Sequence, residues 1–289
     1  MRIIIKNIKI VTIFVLLPVV LSGCAIFYSS ATSRLAENLS YAFENQLDIE
    51  VVQNATPAYL LMMDAMIRED PDNISLLKSA ATLNVAYADI FVKDTERSKI
   101  LTGKALDLAL KAVCLENKKL CNIRKKNYDE FKAIIDASTK ADIDSLYILG
   151  AVWASWIQAS SEDWNAVAEL PRVEAVMQQV ILLNPAYEDG GAFLYLGTLA
   201  TLLPPALGGQ PEKGRQYFEK AIELSGGKNL YAKVLYAQRY ARMMFDQKLH
   251  DRLLNDVCSA DPNVEGYALI NTIAQKQAKS LLESSEDYF

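Results

Sequence analysis

Histidine is nearly missing from this chain: His250 is the one example in 289 residues. That removes His-based triads, the HExxH zinc helix and most histidine metal sites. Cysteine is scarce too, with four residues and no Cys-x-x-Cys, so zinc-ribbon and thioredoxin chemistry are not expected. No GxSxG elbow occurs, and Gly103-Lys104 is followed by Ala105, which is no phosphate loop. The glycine pairs follow no strand pattern, so a dinucleotide fold is not implied. A basic excess is also lacking: 30 Lys and Arg face 35 Asp and Glu, a net charge of −5 that argues against nucleic acid as a partner. Asn-Gly hairpin turns are absent and alternating apolar runs are few, which disfavours sheet. What is left is a chain with no expected catalytic residues, metal or cofactor. His250, in FDQKLHDRLL, is expected to be structural or superficial. Glu162-Asp163 and Glu188-Asp189 are expected to cap helix starts, and the basic runs Lys118-Lys119 and Arg124-Lys125-Lys126 to be solvated loop charges.

The first residues are expected to be an export signal. Arg2, Lys6 and Lys9 precede an apolar run from Ile10 to Val20, and then Leu21-Ser22-Gly23-Cys24. Small residues at this point mark a cleavage site, and the tetrapeptide has the form of a lipobox with Cys24 as the acylated residue. The apolar run is short for a membrane span, which needs about 20 residues. Ala25 follows, where an Asp would favour inner-membrane retention, so the expected location is the periplasm, lipid-anchored to the outer membrane. The expected layout is a signal peptide over 1–23, a lipidated tether over 24–35 and one α-helical domain over 36–289. Since the periplasm permits disulfides, Cys114 and Cys121 are expected to bridge across LENKKL, leaving Cys258 free and buried.

Helical spacing recurs through the body. Residues 142–158 carry Leu146, Leu149, Val152, Trp153, Trp156 and Ile157 in one apolar stripe, with Ser138 or Thr139 placed to cap it. Residues 230–247 repeat the pattern. Gly214, Phe218, Ala221 and Gly226 are spaced by 4, 3 and 5, and the same offsets mark Ala105, Ala109, Ala112 and Asn117. They recur at Val173, Met177, Val180 and Pro185, and at Tyr59, Met63, Met66 and Pro71. These offsets resemble the second helix of a tetratricopeptide (TPR) repeat, at steps longer than the usual 34 residues. The all-α fold class expected is therefore a TPR-like array of helical hairpins with long insertions. TLLPPALGGQPEKGRQYFEKAIELSGG, residues 201–227, reads as its sharpest hairpin. A first helix over Phe193–Leu203 halts at Pro204-Pro205, Gly208-Gly209 turns the chain, and a second runs from Pro211 to a stop at Gly226-Gly227.

Residues 169–257 also carry a family resemblance. The LP-x-VEA segment, Asn184-Pro185-x-Tyr187 with Gly190-Gly191, and the LPPALGG-x-PEK elbow are its central elements. The Ser225-Gly226-Gly227 stop, Tyr236-Ala237 with Tyr240-Ala241, Trp153-x-x-Trp156 and the terminal Glu286-Asp287-Tyr288-Phe289 extend it. The chain resembles the T-component family of tripartite ATP-independent periplasmic (TRAP) transporters. The resemblance implies an all-helical fold of cryptic TPR-like hairpins in a periplasmic lipoprotein. It further implies association with a solute-binding protein (the transporter's P component), delivery of a small apolar or organic-acid ligand, and homo-oligomer formation as a possibility.

A ligand cleft is one reading of the aromatic residues. Trp153, Trp156, Tyr195, Pro204, Pro205, Leu207, Tyr236, Arg239 and Tyr240 would together give a largely apolar lining with one cation, suited to an amphipathic anion. The other reading is that these aromatics fill the core between hairpins. Arg239 separates the two, because an arginine on an apolar helix must snorkel, pair with a carboxylate or meet a ligand. The rival function is a scaffold lipoprotein of outer-membrane assembly with a TPR-like peptide-binding surface. An enzyme acting on cell wall or lipids would need a Ser/His pair or clustered catalytic carboxylates, which the sequence does not display.

Overall fold

The computed structural model describes residues 34, 35 and 38–289. Cys24 and the whole expected export signal lie outside the described residues. Every regular element among the described residues is a helix. After a helical segment at 38–44 come α1 (Ile49–Glu69), α2 (Ile74–Phe91), α3 (Thr95–Glu116), α4 (Tyr128–Asp136), α5 (Ile143–Ala159) and α6 (Leu170–Leu183). Then follow α7 (Gly191–Ala200), α8 (Pro211–Leu224), α9 (Leu230–Leu235), α10 (Gln247–Ser259) and α11 (Ala268–Glu283). No described helix is long and apolar enough to cross a membrane.

Short polar residues set the helix starts. Asp48, Asn73, Asp94, Asn127, Asn229 and Asp246 each accept a hydrogen bond from a first-turn backbone N–H. Thr139 and Asp142 form the expected cap ahead of α5, the Asp142 carboxylate accepting from Thr139 N at 2.8 Å and Thr139 Oγ1 at 3.0 Å. Cys114 and Cys121 are joined as a disulfide, closing the loop after α3. Cys258 is free, but only half-buried.

Neighbouring helices pack in two layers. The pairs α2–α3, α3–α5, α5–α6, α6–α7 and α7–α8 run along the chain, followed by contacts among α9, α10 and α11. Alternate helices also touch: α2–α5, α5–α7, α7–α9 and α9–α11. The last of these, α11, packs on α1, which packs on α2. Helices α1, α2, α5, α7, α9 and α11 therefore make a closed cycle of contacts. Polar contacts reinforce the closure: Tyr41 Oη donates to Glu265 at 2.9 Å, and Gly266 N to Asn45 at 2.8 Å. Helices α2 and α5 run parallel in register, since Lys78–Asp144 and Asp89–Ser155 meet at 2.6 Å each with the same separation of 66 residues.

Two hydrophobic clusters hold the layers together. One spans α2 to α7 around Trp153, Phe131 and Leu106, and the other joins α8 to α11 around Phe218, Val234 and Leu254. Close crossings use glycine: a methyl at Gly197 would sit 2.8 Å from Phe218 Cε1, and one at Gly150 would sit 2.7 Å from Met177 Cε. The 201–227 stretch is the helical hairpin expected, with its first helix ending three residues early, at Ala200. The elbow carries a 3-10 turn at Pro205–Leu207, then Gly208 in the left-handed region at φ 91°. Gln210 N returns to Ala200 O at 2.8 Å, tying its two ends.

One element departs from the expected pattern. The helix begun at Leu230 becomes a π-helix over Tyr236–Ala241. Such turns widen the helix by one residue and are frequent at functional sites. Nothing in the apolar spacing of 230–247 announces it.

Candidate functional site

Helix α5 packs against α2, α3, α6 and α7. Asp144, Tyr147, Ile148 and Ala151 recur along it at helical spacing and keep some solvent-accessible surface, the last three while packed against the core. Asp89 on α2 behaves alike: it is exposed, yet enclosed by protein that pushes its carboxyl pKa up, with only Ser155 Oγ pulling the other way. Tyr195 on α7 and Tyr231 on α9 keep partial exposure while burial raises their phenol pKa values. Asp89 pushes both phenols up electrostatically, and Arg239 pulls Tyr231 down. Asp89 lines a cleft of about 260 Å³ between the C-terminal ends of α2 and α5 and the start of α3.

Around the 187–189 turn, phenols and carboxylates form a rim. Tyr187 Oη donates to Asp144 at 2.8 Å and Tyr267 Oη to Asp189 at 2.6 Å. The Tyr147 ring stands edge-on to Tyr187 at 5.5 Å and to Tyr195 at 6.2 Å. Burial raises the Glu188 carboxyl, and the negative charges of Asp144 and Asp189 push it further. Glu44 is raised by burial and by Glu188. Glu188 and Asp189 were expected to cap a helix; instead both adopt left-handed backbone, φ 48° and 49°, and turn to this rim. Asp163 does cap, accepting from Asn165 N at 2.9 Å.

The nine residues read as one cleft are not brought together. Trp153 is fully buried, so it belongs to the core: its Nε1 donates to Glu169 at 2.6 Å and its ring meets Phe131 edge-on. Trp156 packs between α3, at Gly103, and the Arg124 guanidinium, 4.2 Å above its ring. Arg124 is therefore no solvated loop charge; it also holds Glu169 with two nitrogens, Nε at 2.9 Å and Nη2 at 3.1 Å. Pro204 and Pro205 are exposed on the elbow, and the Leu207 side chain lies outside the described set. Tyr195 stands against Tyr147, and Arg239 is half-buried in the π-helix.

Tyr236 and Tyr240 are largely buried but send their hydroxyls outward. Tyr236 Oη donates to Glu219 at 3.0 Å and Tyr240 Oη to Glu212 at 2.7 Å. Burial, and then Glu212, push the Tyr240 phenol up to about 12. These groups line a second, outer cleft of about 590 Å³ between α8, the π-helix and α10, with Arg215, Lys248 and Arg252 beside them. The sequence reading missed Asp89, Tyr147 and Tyr231, for which it offered no motif; it carried Tyr187 only as a family element and Glu188-Asp189 only as a helix cap.

His250 is structural. It is fully buried, its Nε2 accepts from Arg242 Nε at 3.2 Å, and so its Nδ1 carries the proton donated to Asp251 at 2.8 Å. No group of three His, Cys, Asp or Glu side chains suited to a metal ion occurs among the described residues.

Compared with curated proteins one by one, the sequence matches none. Residues 45–289 match the TRAP transporter T-component family, a span that takes in every labelled helix, the disulfide loop and both clefts. A closed cycle of helix contacts with two outer clefts is thus the form taken here by a member of that family: the chain belongs to the TRAP transporter T-components.

Proposed function

We propose that this T-component is a periplasmic lipoprotein, anchored to the outer membrane through Cys24, that docks a TRAP-type solute-binding protein. Its ring of helices would hold a small apolar or organic-acid ligand and pass it between lumen and partner. The reading involves no covalent chemistry: the protein acts as a binding and hand-off device, not an enzyme. The observation that supports it best is the family match over residues 45–289 on a closed cycle of helices that leaves accessible surface on Asp89, Tyr195 and Tyr231. A static core would leave such groups no solvent, while a lumen gives a guest both apolar wall and polar anchors. The scaffold reading fares worse, because α11 packed on α1 closes the concave side on which an extended peptide would lie.

The test is a capture experiment with the full-length protein in mild detergent against an envelope extract of its own organism. Recovery of a TRAP-type solute-binding protein is the expected result. Recovery of barrel-assembly factors without it would move the scaffold reading ahead. Labelled palmitate should enter the wild-type chain and not Cys24→Ala; labelling of both would remove the anchor.

A further inference from the structure

Two helix C-termini meet in the smaller cleft. Helices α2 and α5 run parallel, so their last turns stand side by side, and residues 88–92 and 158–162 supply most of the lining. The start of α3, at Thr95 and Ser98, closes the third side. The last carbonyls of a helix have no intrahelical partner, and they carry the negative end of its dipole. The one N-terminus here is already answered, because Asp94 accepts from Arg97 N at 2.7 Å. The lining side chains lean the same way: Asp89, Asp94 and Glu162 face a single cation, Lys93. The larger outer cleft has no such excess, since Glu212, Glu219 and Asp246 meet Arg215, Lys248 and Arg252.

Asp89 is the lining group that the fold leaves unanswered. It keeps accessible surface, yet it sits in a concave wall where burial disfavours its charge. The Ser155 hydroxyl, donating at 2.6 Å, is all that favours the ionised form. No cation forms an ion pair with Asp89 among the described residues. Lys93 is exposed and exerts no pull on the Asp89 carboxyl. The other two acids are engaged, Asp94 as the cap of α3 and Glu162 in the field of Lys99. Ser98, Ser161 and Gln158 add neutral acceptors, and Ala88, Val92 and Ala159 add a short apolar wall. The volume of about 260 Å³ falls below the roughly 300–1,000 Å³ of pockets that enclose drug-sized ligands, so a guest here has few heavy atoms.

We propose that this cleft is a binding site for the primary ammonium group of a short-chain amine. Asp89 takes the charge, the terminal carbonyls of α2 and α5 and the Ser98 and Ser161 hydroxyls accept the remaining N–H bonds, and a few methylenes lie on Ala88, Val92 and Ala159. An ammonium offers three donors around one compact charge, which matches one carboxylate set among neutral acceptors. A metal ion is the poorer fit, since no group of three His, Cys, Asp or Glu side chains suited to one occurs among the described residues. An anion would meet Asp89 and two negative helix ends. The site goes beyond the docking and hand-off reading and depends on neither the partner nor the lipid anchor.

Small probes separate these statements. Butylammonium would be titrated at neutral pH into the full-length protein in a maltoside detergent and followed by saturation-transfer NMR against a detergent blank. It is expected to bind saturably, with 1-butanol, butyrate and tetramethylammonium weaker by about tenfold or more. The last of these keeps the charge and lacks N–H donors, so it isolates the hydrogen bonds. Asp89→Asn should weaken butylammonium by about tenfold or more. Lys93→Gln should bind it as well as the wild type or better. Ala159→Leu, which fills the cleft and leaves Asp89 in place, should also lose the probe, and it carries the test if Asp89→Asn unfolds. Thermal melts show whether each variant is folded. No saturable butylammonium binding, unchanged binding by folded Asp89→Asn or by folded Ala159→Leu, loss of binding in folded Lys93→Gln, or tetramethylammonium or butyrate equal to butylammonium would each overturn the assignment.

Discussion

Replacing Trp153 should unfold the protein before it affects any ligand. The indole is fully buried, its edge-to-face contact with Phe131 has a centroid separation of 6.0 Å, and its Nε1 donates to Glu169 at 2.6 Å. Trp153→Ala removes the largest fully buried side chain on α5 and opens a cavity where α5 meets α4 and α6. Such truncations cost about 3–5 kcal/mol, the transfer loss plus the cavity. In a chain of this size about 1 kcal/mol moves the melting temperature by roughly 2–4 °C, so the fall should be on the order of 6–20 °C. Trp153→Phe isolates one part of that sum. It keeps most of the ring volume but deletes the indole N–H, whose bond to a charged acceptor contributes about 1.5–3 kcal/mol. Glu169 is not left bare by the change, because Arg124 still holds it with two nitrogens. Trp153→Phe should therefore fall at or below the lower end of that range. The assay is thermal unfolding followed by circular dichroism at several scan rates. A shift of under about 1 kcal/mol for Trp153→Ala would refute the reasoning, since only a side chain facing open space can be removed that cheaply.

Other consequences can be checked the same way. Asp89 has a folded-state pKa raised by burial, so its ionisation opposes folding at pH above that value, and the penalty disappears as the pH falls towards the unfolded value. Asp89→Asn should accordingly raise the melting temperature at neutral pH and lose that advantage near about pH 4; a variant less stable at neutral pH would count against a carboxyl held in a desolvating setting. Reducing the Cys114–Cys121 bridge should lower stability by about 2–3 kcal/mol on the chain-entropy account of a loop with sequence separation 7, measured as the difference between oxidised and reduced melts. Gly197→Val should lower stability by about 1–3 kcal/mol, because even the first added carbon would press on Phe218; an unchanged melt would mean that α7 and α8 can move apart.

The sequence displays packing more readily than it displays a site. The apolar stripe of 142–158 predicts α5 because burial on one side imposes helical spacing, and Asp142 and Thr139 mark its start because a helix N-terminus needs acceptors. Gly197 and Gly214 are legible for a related reason: each closes a helix crossing that a side chain would hold open. Trp153 misleads by the same logic, since an aromatic on the inner face of a stripe looks alike whether it meets a protein neighbour or a guest. Arg124 misleads because its partner, Glu169, lies 45 residues away and leaves no local trace. Asp89, Tyr147, Tyr195, Tyr231 and Arg239 are harder still, because they sit on helices far apart in sequence whose contacts, α2–α5, α5–α7 and α7–α9, no window of sequence contains. Arg239 alone carried a signal, a cation on an apolar helix. That signal is a statement of missing compensation, and it became informative once the fold showed no carboxylate paired with it among the described residues. In a protein whose chemistry is binding, such uncompensated groups are where the sequence and the site can be expected to meet, because a group that the fold leaves unsatisfied is one that a guest can stabilise.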